Sequence, residues 1–142
     1  MPMDISWYIP KKVISMRSYG NITLDDAIAA NARVIELLDS SEEQFVHSIV
    51  DQSEMGEFPI SMRKSAEIMT SMKHPRVGWT VVYNPNSNKI ADFIGSMVAQ
   101  IGRIRYRKVS TKEEALDFIC ERFPQLREQF EAADAQMHAE ES

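Results

Sequence analysis

Apolar and polar residues alternate in two neighbouring stretches near the start of the chain, 5–9 and 13–19. In the second, Val13, Ser15, Arg17 and Tyr19 share one face and Ile14, Met16 and Ser18 the other, the period-2 signature of a strand. Pro10, Lys11 and Lys12 lie between them, which predicts a short turn and therefore a hairpin. Beyond Gly20 and Asn21 the period changes. Leu24, Ala27, Ile28, Val34, Ile35 and Leu38 recur at helical spacing, and Thr23 followed by Asp25 and Asp26 supplies a hydroxyl cap and acids for the positive helix end. Ser40, Ser41, Glu42 and Glu43 end that helix, and the charge-poor run 45–50 reads as a short strand buried in the middle of a sheet.

The strand and helix alternation then repeats. A polar loop over 51–59 leads to a predicted helix over 61–73, with Met62, Ala66, Met69 and Met72 at helical intervals and His74-Pro75 as its stop. A β-branched and aromatic strand is predicted over 76–83, a turn over 84–88, and a helix bearing Ile90, Phe93, Ile94, Met97, Val98 and Ile101 that ends at Gly102. Over 103–109, Arg103, Arg105 and Arg107 alternate with Ile104 and Tyr106, as suits an edge strand whose charges discourage stray pairing. Thr111 and Glu114 are spaced as a capping box opening a helix that carries Ala115, Leu116, Ile119 and Phe123. The expected fold class is α/β: a single domain over 1–124 with a mixed four- to five-stranded sheet and amphipathic helices. An acidic, helical C-terminal extension follows over 125–142, whose thin stripe of Leu126, Phe130, Ala133 and Met137 would dock on the domain, dock on another subunit in a homo-oligomer, or stay free.

Composition narrows the function classes. A chain of 142 residues that is 44% hydrophobic can bury a core without disulfides or metals. No apolar run approaches the roughly 20 residues of a membrane span, and no basic segment followed by an apolar stretch opens the chain, so a cytoplasmic protein with no membrane span is expected. The only cysteine, Cys120, has no second thiol and reads as a small buried hydrophobe. Of the net charge of -5, residues 125–142 carry -4 through five acids against one arginine, so the rest of the chain is nearly neutral and no nucleic acid partner is expected.

Candidate chemistry is sparse. His47, His74 and His138 are too far apart in sequence and context for a His-Glu-x-x-His type of metal site, and the five glycines stand singly, so neither a phosphate loop nor a dinucleotide fingerprint occurs. No metal, cofactor or catalytic residue is expected, and His47 reads as a hydrogen-bonded core or interface residue. The candidate interaction or ligand surface is Asp51, Ser53, Glu54, Phe58, Ser61, Met62, Asn84 and Asn86, because loops that follow neighbouring parallel strands meet at their carboxyl ends, where open α/β sheets bind ligands. The Arg103, Arg105, Arg107 and Lys108 cluster would face an acidic partner or nucleic acid or, more simply, water as a solvated edge. Met62, Met69, Met72 and Met97 with Phe93 and Ile94 fill a core or line a pocket for a small apolar ligand or lipid.

Over 13–123 the order of elements resembles the STAS family, the sulfate-transporter and anti-sigma-factor-antagonist domains, and within it the SpoIIAA-like branch. The likeness is carried by that order, by the strand Phe45-Val46-His47-Ser48-Ile49-Val50-Asp51 ending in an acid, and by the closing run Val109-Ser110-Thr111-Lys112-Glu113-Glu114-Ala115-Leu116. A flavodoxin-like or response-regulator-like sheet is the alternative on the same order. The resemblance implies a regulatory domain without chemistry of its own that recognises a protein partner or a small ligand. It also implies a serine phosphorylated at the helix start after the Asp-ending strand. Here that place reads Phe58-Pro59-Ile60-Ser61-Met62-Arg63, so Ser61 is the candidate phosphorylation site, although the usual preceding acid and following glycine are missing.

Overall fold

The two alternating stretches at the start of the chain form the expected hairpin in the structure, a computed structural model that describes residues 3–55, 70–85 and 105–141. Among the described residues five strands lie in the order β1-β2-β3-β4-β5: Met3–Ile9, Val13–Gly20, Val46–Met55, Val77–Tyr83 and Arg105–Val109. β1 runs antiparallel to β2, and the remaining neighbours pair in parallel. Flavodoxin-like sheets place the second strand outside the first, 2-1-3-4-5, so the sequential order found here removes that alternative. Among the described residues the helices are α1 (Leu24–Ser40), α2 (Lys112–Arg122) and α3 (Arg127–Glu141), with 3₁₀ turns at Thr70–Lys73 and Pro124–Leu126. None of them is long and apolar enough to cross a membrane.

Helices cover both faces, and each face has its own core. Ile14 and Val46 point to the side of α1 and pack with Val34, Leu37 and Leu38, flanked by Ile5, Trp7, Met16 and Val77. Val13, Ile49 and Val81 point to the other side and meet Ala115, Ile119 and Cys120 of α2 together with Leu126 and Phe130. Thr23 caps α1 with a complete capping box: its hydroxyl accepts from the Asp26 N–H at 3.1 Å, and Asp26 accepts from the Thr23 N–H at 2.9 Å. Hydrogen bonds from the Thr23 backbone and then its hydroxyl hold the Asp26 carboxyl below the usual carboxylate range. At α2 the Thr111 hydroxyl accepts from the Glu114 N–H at 3.1 Å.

The buried stripe of α1 departs from the expected one. Leu24 and Ile28 are exposed, and Ala30 and Leu37 are buried instead. A helix rotated by less than half a turn exchanges one set for the other, and it is the fit of Val34, Leu37 and Leu38 against Ile14 and Val46 that sets the rotation. Polar ties hold it there. The Ser41 hydroxyl donates to the Lys11 carbonyl at 2.7 Å, and the Asn31 amide donates to the Thr70 hydroxyl at 3.0 Å while its carbonyl accepts from the Ser71 N–H at 2.9 Å.

Three bulges reshape the ladder. On β1, Trp7 faces Ile14 and Ile9 faces Val13, so Tyr8 is an extra residue, and Tyr8 and Ile9 are both buried in the cluster under α2 and α3. On β4, Gly78 and Trp79 together face His47. On β3, Gln52 and Ser53 together face Ser18. β3 was expected to stop at Val50 before a polar loop; instead pairing with β2 carries it to Met55, since the neighbour supplies backbone partners as far as Gly20 whatever the polarity of the side chains.

The first bulge also gives the C-terminal stripe its partner. Leu126 and Phe130 are buried, Ala133 packs against the same cluster, and Met137 is exposed. Phe130 meets the Tyr8 ring edge to face at 5.1 Å, and the Tyr8 hydroxyl donates to Asp134. Lys112 closes the group, its ammonium 3.5 Å from Asp134 and 5.2 Å from the Tyr8 ring centroid. Burial, with the Asp134 charge and hydrogen bond adding to it, pushes the Tyr8 phenol well above its ordinary value.

Candidate functional site

The parallel pairing of β2, β3 and β4 aligns Arg17, Asp51 and Tyr83 side by side near the carboxyl ends of the three strands. The even slant of a parallel ladder keeps the three side chains on one face, the face that also carries Val13, Ile49 and Val81. Arg17 forms a salt bridge to Glu54, and its guanidinium lies 5.3 Å from the Tyr19 ring centroid. The bulge at Gln52 and Ser53 makes the first contact possible, because Glu54 then comes opposite Tyr19 rather than one residue further on. The Ser53 N–H donates to Asp51 Oδ1 at 2.9 Å, and the Ser53 hydroxyl donates to the same oxygen.

Tyr83 joins from the other side through a hydrogen bond to Asp51. Burial first, then the Asp51 charge and that bond, push its phenol up to about 12, with Arg17 pulling the other way. The bond to Glu54 makes the exposed Arg17 guanidinium still harder to deprotonate. The Asn84 N–H donates to the Val109 carbonyl at 3.2 Å and so ties the end of β4 to the end of β5.

Neither a known family model nor a curated protein matches the sequence. A solved structure does: an uncharacterized protein from the DUF3478 family with a SpoIIAA-like fold, from Shewanella loihica PV-4, superimposes with a TM-score of 0.61. The match covers 83% of this chain and 92% of that one at 10% sequence identity. The fold is SpoIIAA-like. The two chains have almost no sequence in common, and what they share is architecture.

Within the SpoIIAA-like sheet, Asp51, Ser53, Glu54 and Asn84 come to the same end, as their positions after neighbouring strands predict. Asp51, Ser53 and Glu54 do so from within β3 and not from a loop. Phe58, Ser61, Met62 and Asn86 lie outside the described residues, as do Met69 and Met97 of the apolar-ligand alternative. Arg17 and Tyr83 were not among the residues singled out from the sequence, although a charge two positions beyond Ser15 on the face of buried Val13 was a usable signal.

His47 belongs to the core. Its ring lies against Phe123, tilted by 40° with the centroids 4.3 Å apart, and its Nδ1 accepts the Trp79 N–H at 2.9 Å, the donor that the β4 bulge turns out of the ladder. Gly78 leaves room for that ring, for a Cβ there would lie 2.4 Å from Nδ1. Burial, then the Arg105 charge, lowers the imidazole pKa to about 4. His74 sits at the amino end of β4, where Nδ1 accepts from the Arg76 N–H at 3.1 Å and Nε2 meets Asp39 at 2.8 Å. Cys120 is buried, and burial raises its thiol pKa. Among the described residues no group of three or more His, Cys, Asp or Glu side chains could hold a metal ion.

Proposed function

We propose that this chain is a non-catalytic regulatory module that recognises another protein through the carboxyl ends of β2, β3 and β4. The observation that supports it is the Arg17, Glu54, Asp51, Ser53 and Tyr83 array: Arg17 bonded to Glu54 between β2 and β3, and Asp51 to Ser53 and Tyr83 between β3 and β4, a fixed polar surface of one cation, two acids and two hydroxyls. Side chains held in this way are costly to recruit for proton transfer, which needs a group free to change its charge, yet they present a defined hydrogen-bonding pattern to a partner. Asn84 extends the surface, and Ser61 is its candidate switch, since a phosphate there would add about -1.5 to -2 charges near physiological pH. Lone, buried Cys120 suits a cytoplasmic setting.

The test is affinity purification from the native host with wild type, Glu54→Lys, Arg17→Glu and Ser61→Asp, and with Arg33→Glu on α1 as the control. A protein that copurifies with wild type and the control and falls roughly tenfold with either array variant supports the site. Equal recovery across all of them, with circular dichroism showing each variant folded, removes this surface from the function.

A further inference from the structure

A second surface lies along the edge strand β5. Arg105 and Arg107 are two residues apart and pair with Trp79 and Val81, so they share the face covered by α2. Arg122, in the last turn of α2, comes to the same place. Each guanidinium lies over a ring: Arg105 is 5.0 Å from the Phe45 centroid, Arg107 5.6 Å from Phe118, and Arg122 3.7 Å from Phe118 and 5.0 Å from Trp79. Trp79 and Phe118 meet edge to face at 4.9 Å, so two of the three rings form a shared floor under the cations. All three arginines are exposed, and none forms an ion pair with a carboxylate among the described residues.

Stacking on a ring holds the plane of a guanidinium while leaving its N–H rim for a ligand. Arg122 uses one rim donor on the Phe118 carbonyl at 3.2 Å. The net charge of the chain is -5, so this is a cationic stripe on an acidic molecule, and among the described residues β5 pairs with β4 alone.

We propose that this edge binds an extended acidic segment of a partner protein, added as a further strand beside β5 with carboxylates at alternate positions reaching Arg105 and Arg107. The geometry selects that occupant. Side chains two residues apart recur about every 6.6 Å along any strand, so alternate acids on an added strand keep step with alternate arginines on β5, and each guanidinium can take a carboxylate with two N–H groups. The strand edge supplies backbone pairing that a polyanion lacking peptide groups cannot use. Three arginines also release too few counterions to hold a nucleic acid at physiological salt. The proposal does not rest on the array at the carboxyl ends of β2, β3 and β4.

The test uses fluorescence anisotropy at about 150 mM salt. The probes are a labelled peptide alternating Glu and Val, the same peptide with alternate backbone nitrogens methylated, and a single-stranded oligothymidylate of equal charge. Wild type is expected to bind the unmethylated peptide best. Affinity should fall on the order of tenfold or more in the Arg105→Glu, Arg107→Glu double variant, fall less in Arg122→Ala, and hold in Arg33→Glu. Circular dichroism confirms that the variants are folded, as their exposure leads one to expect. The proposal is overturned by no binding up to about 1 mM peptide. Equal binding of the methylated peptide, equal or tighter binding of the oligonucleotide, or an unchanged affinity in the double variant overturns it as well.

Discussion

Acid should loosen this protein through His47 before most of its carboxylates are protonated. The ring is buried on Phe123, its Nδ1 accepts the Trp79 N–H, and its pKa is about 4 against 6.5 in the unfolded chain. Because the folded value is the lower one, the unfolded chain binds the extra proton as pH falls. The stabilisation is therefore complete above about pH 6.5 and is lost as pH falls through 6.5 toward 4. At about 1.4 kcal/mol for each tenfold difference in proton affinity, the gap between 6.5 and about 4 corresponds to ~3 kcal/mol. His47→Asn places an amide oxygen near the Nδ1 position, still able to accept from Trp79, but cannot be protonated. Urea unfolding followed by circular dichroism at pH 7.5, 6, 5 and 4 would give the stability of both proteins. The variant should be weaker at pH 7.5 for loss of the ring, and wild type should lose ~3 kcal/mol relative to it by pH 4. A difference between the two that stays level across this range refutes the reasoning, as would a His47 titration by NMR centred near 6.5.

Three further perturbations probe the same architecture. Gly78→Ala sets a methyl 2.4 Å from Nδ1 and 2.6 Å from Cε1 of a ring already packed on Phe123, so a loss of about 1–3 kcal/mol is expected, and a melting temperature equal to wild type would show that the ring can move aside. Phe130→Ala empties the space beside Tyr8 and should cost about 3–5 kcal/mol; a change under about 0.5 kcal/mol would mean that the docked C-terminal stripe adds nothing to the fold. Asp51→Asn removes the charge that, after burial, raises the Tyr83 phenol, so Tyr83 should ionise below about 12, read as phenolate absorbance in a pH titration; an unmoved midpoint would disconnect the two.

The sequence by itself determined the features that neighbouring residues decide among themselves. The hairpin follows from period-2 alternation around Pro10, the capped start of α1 from Thr23 and Asp26, the edge strand from alternating arginines, and the stripe of Leu126 and Phe130 from helical spacing, whereas its docking on the domain was decided by the fold. Strand order and register were another matter. Tyr8, the Gly78-Trp79 pair and the Gln52-Ser53 pair are extra residues only relative to a partner strand, and no local pattern marks them. The continuation of β3 through Asp51 to Met55, against its own polarity, likewise depends on the length of β2. So does the rotation of α1 that leaves Leu24 and Ile28 exposed and buries Ala30 and Leu37, which is settled by Ile14 and Val46 on strands far away in sequence. The array of Arg17, Asp51 and Tyr83 combines three such decisions. Each residue is ordinary within its own strand, and only the pairing of one strand with the next brings a cation, an anion and a phenol into one row, because register is an energy of contacts between segments and not of any segment alone.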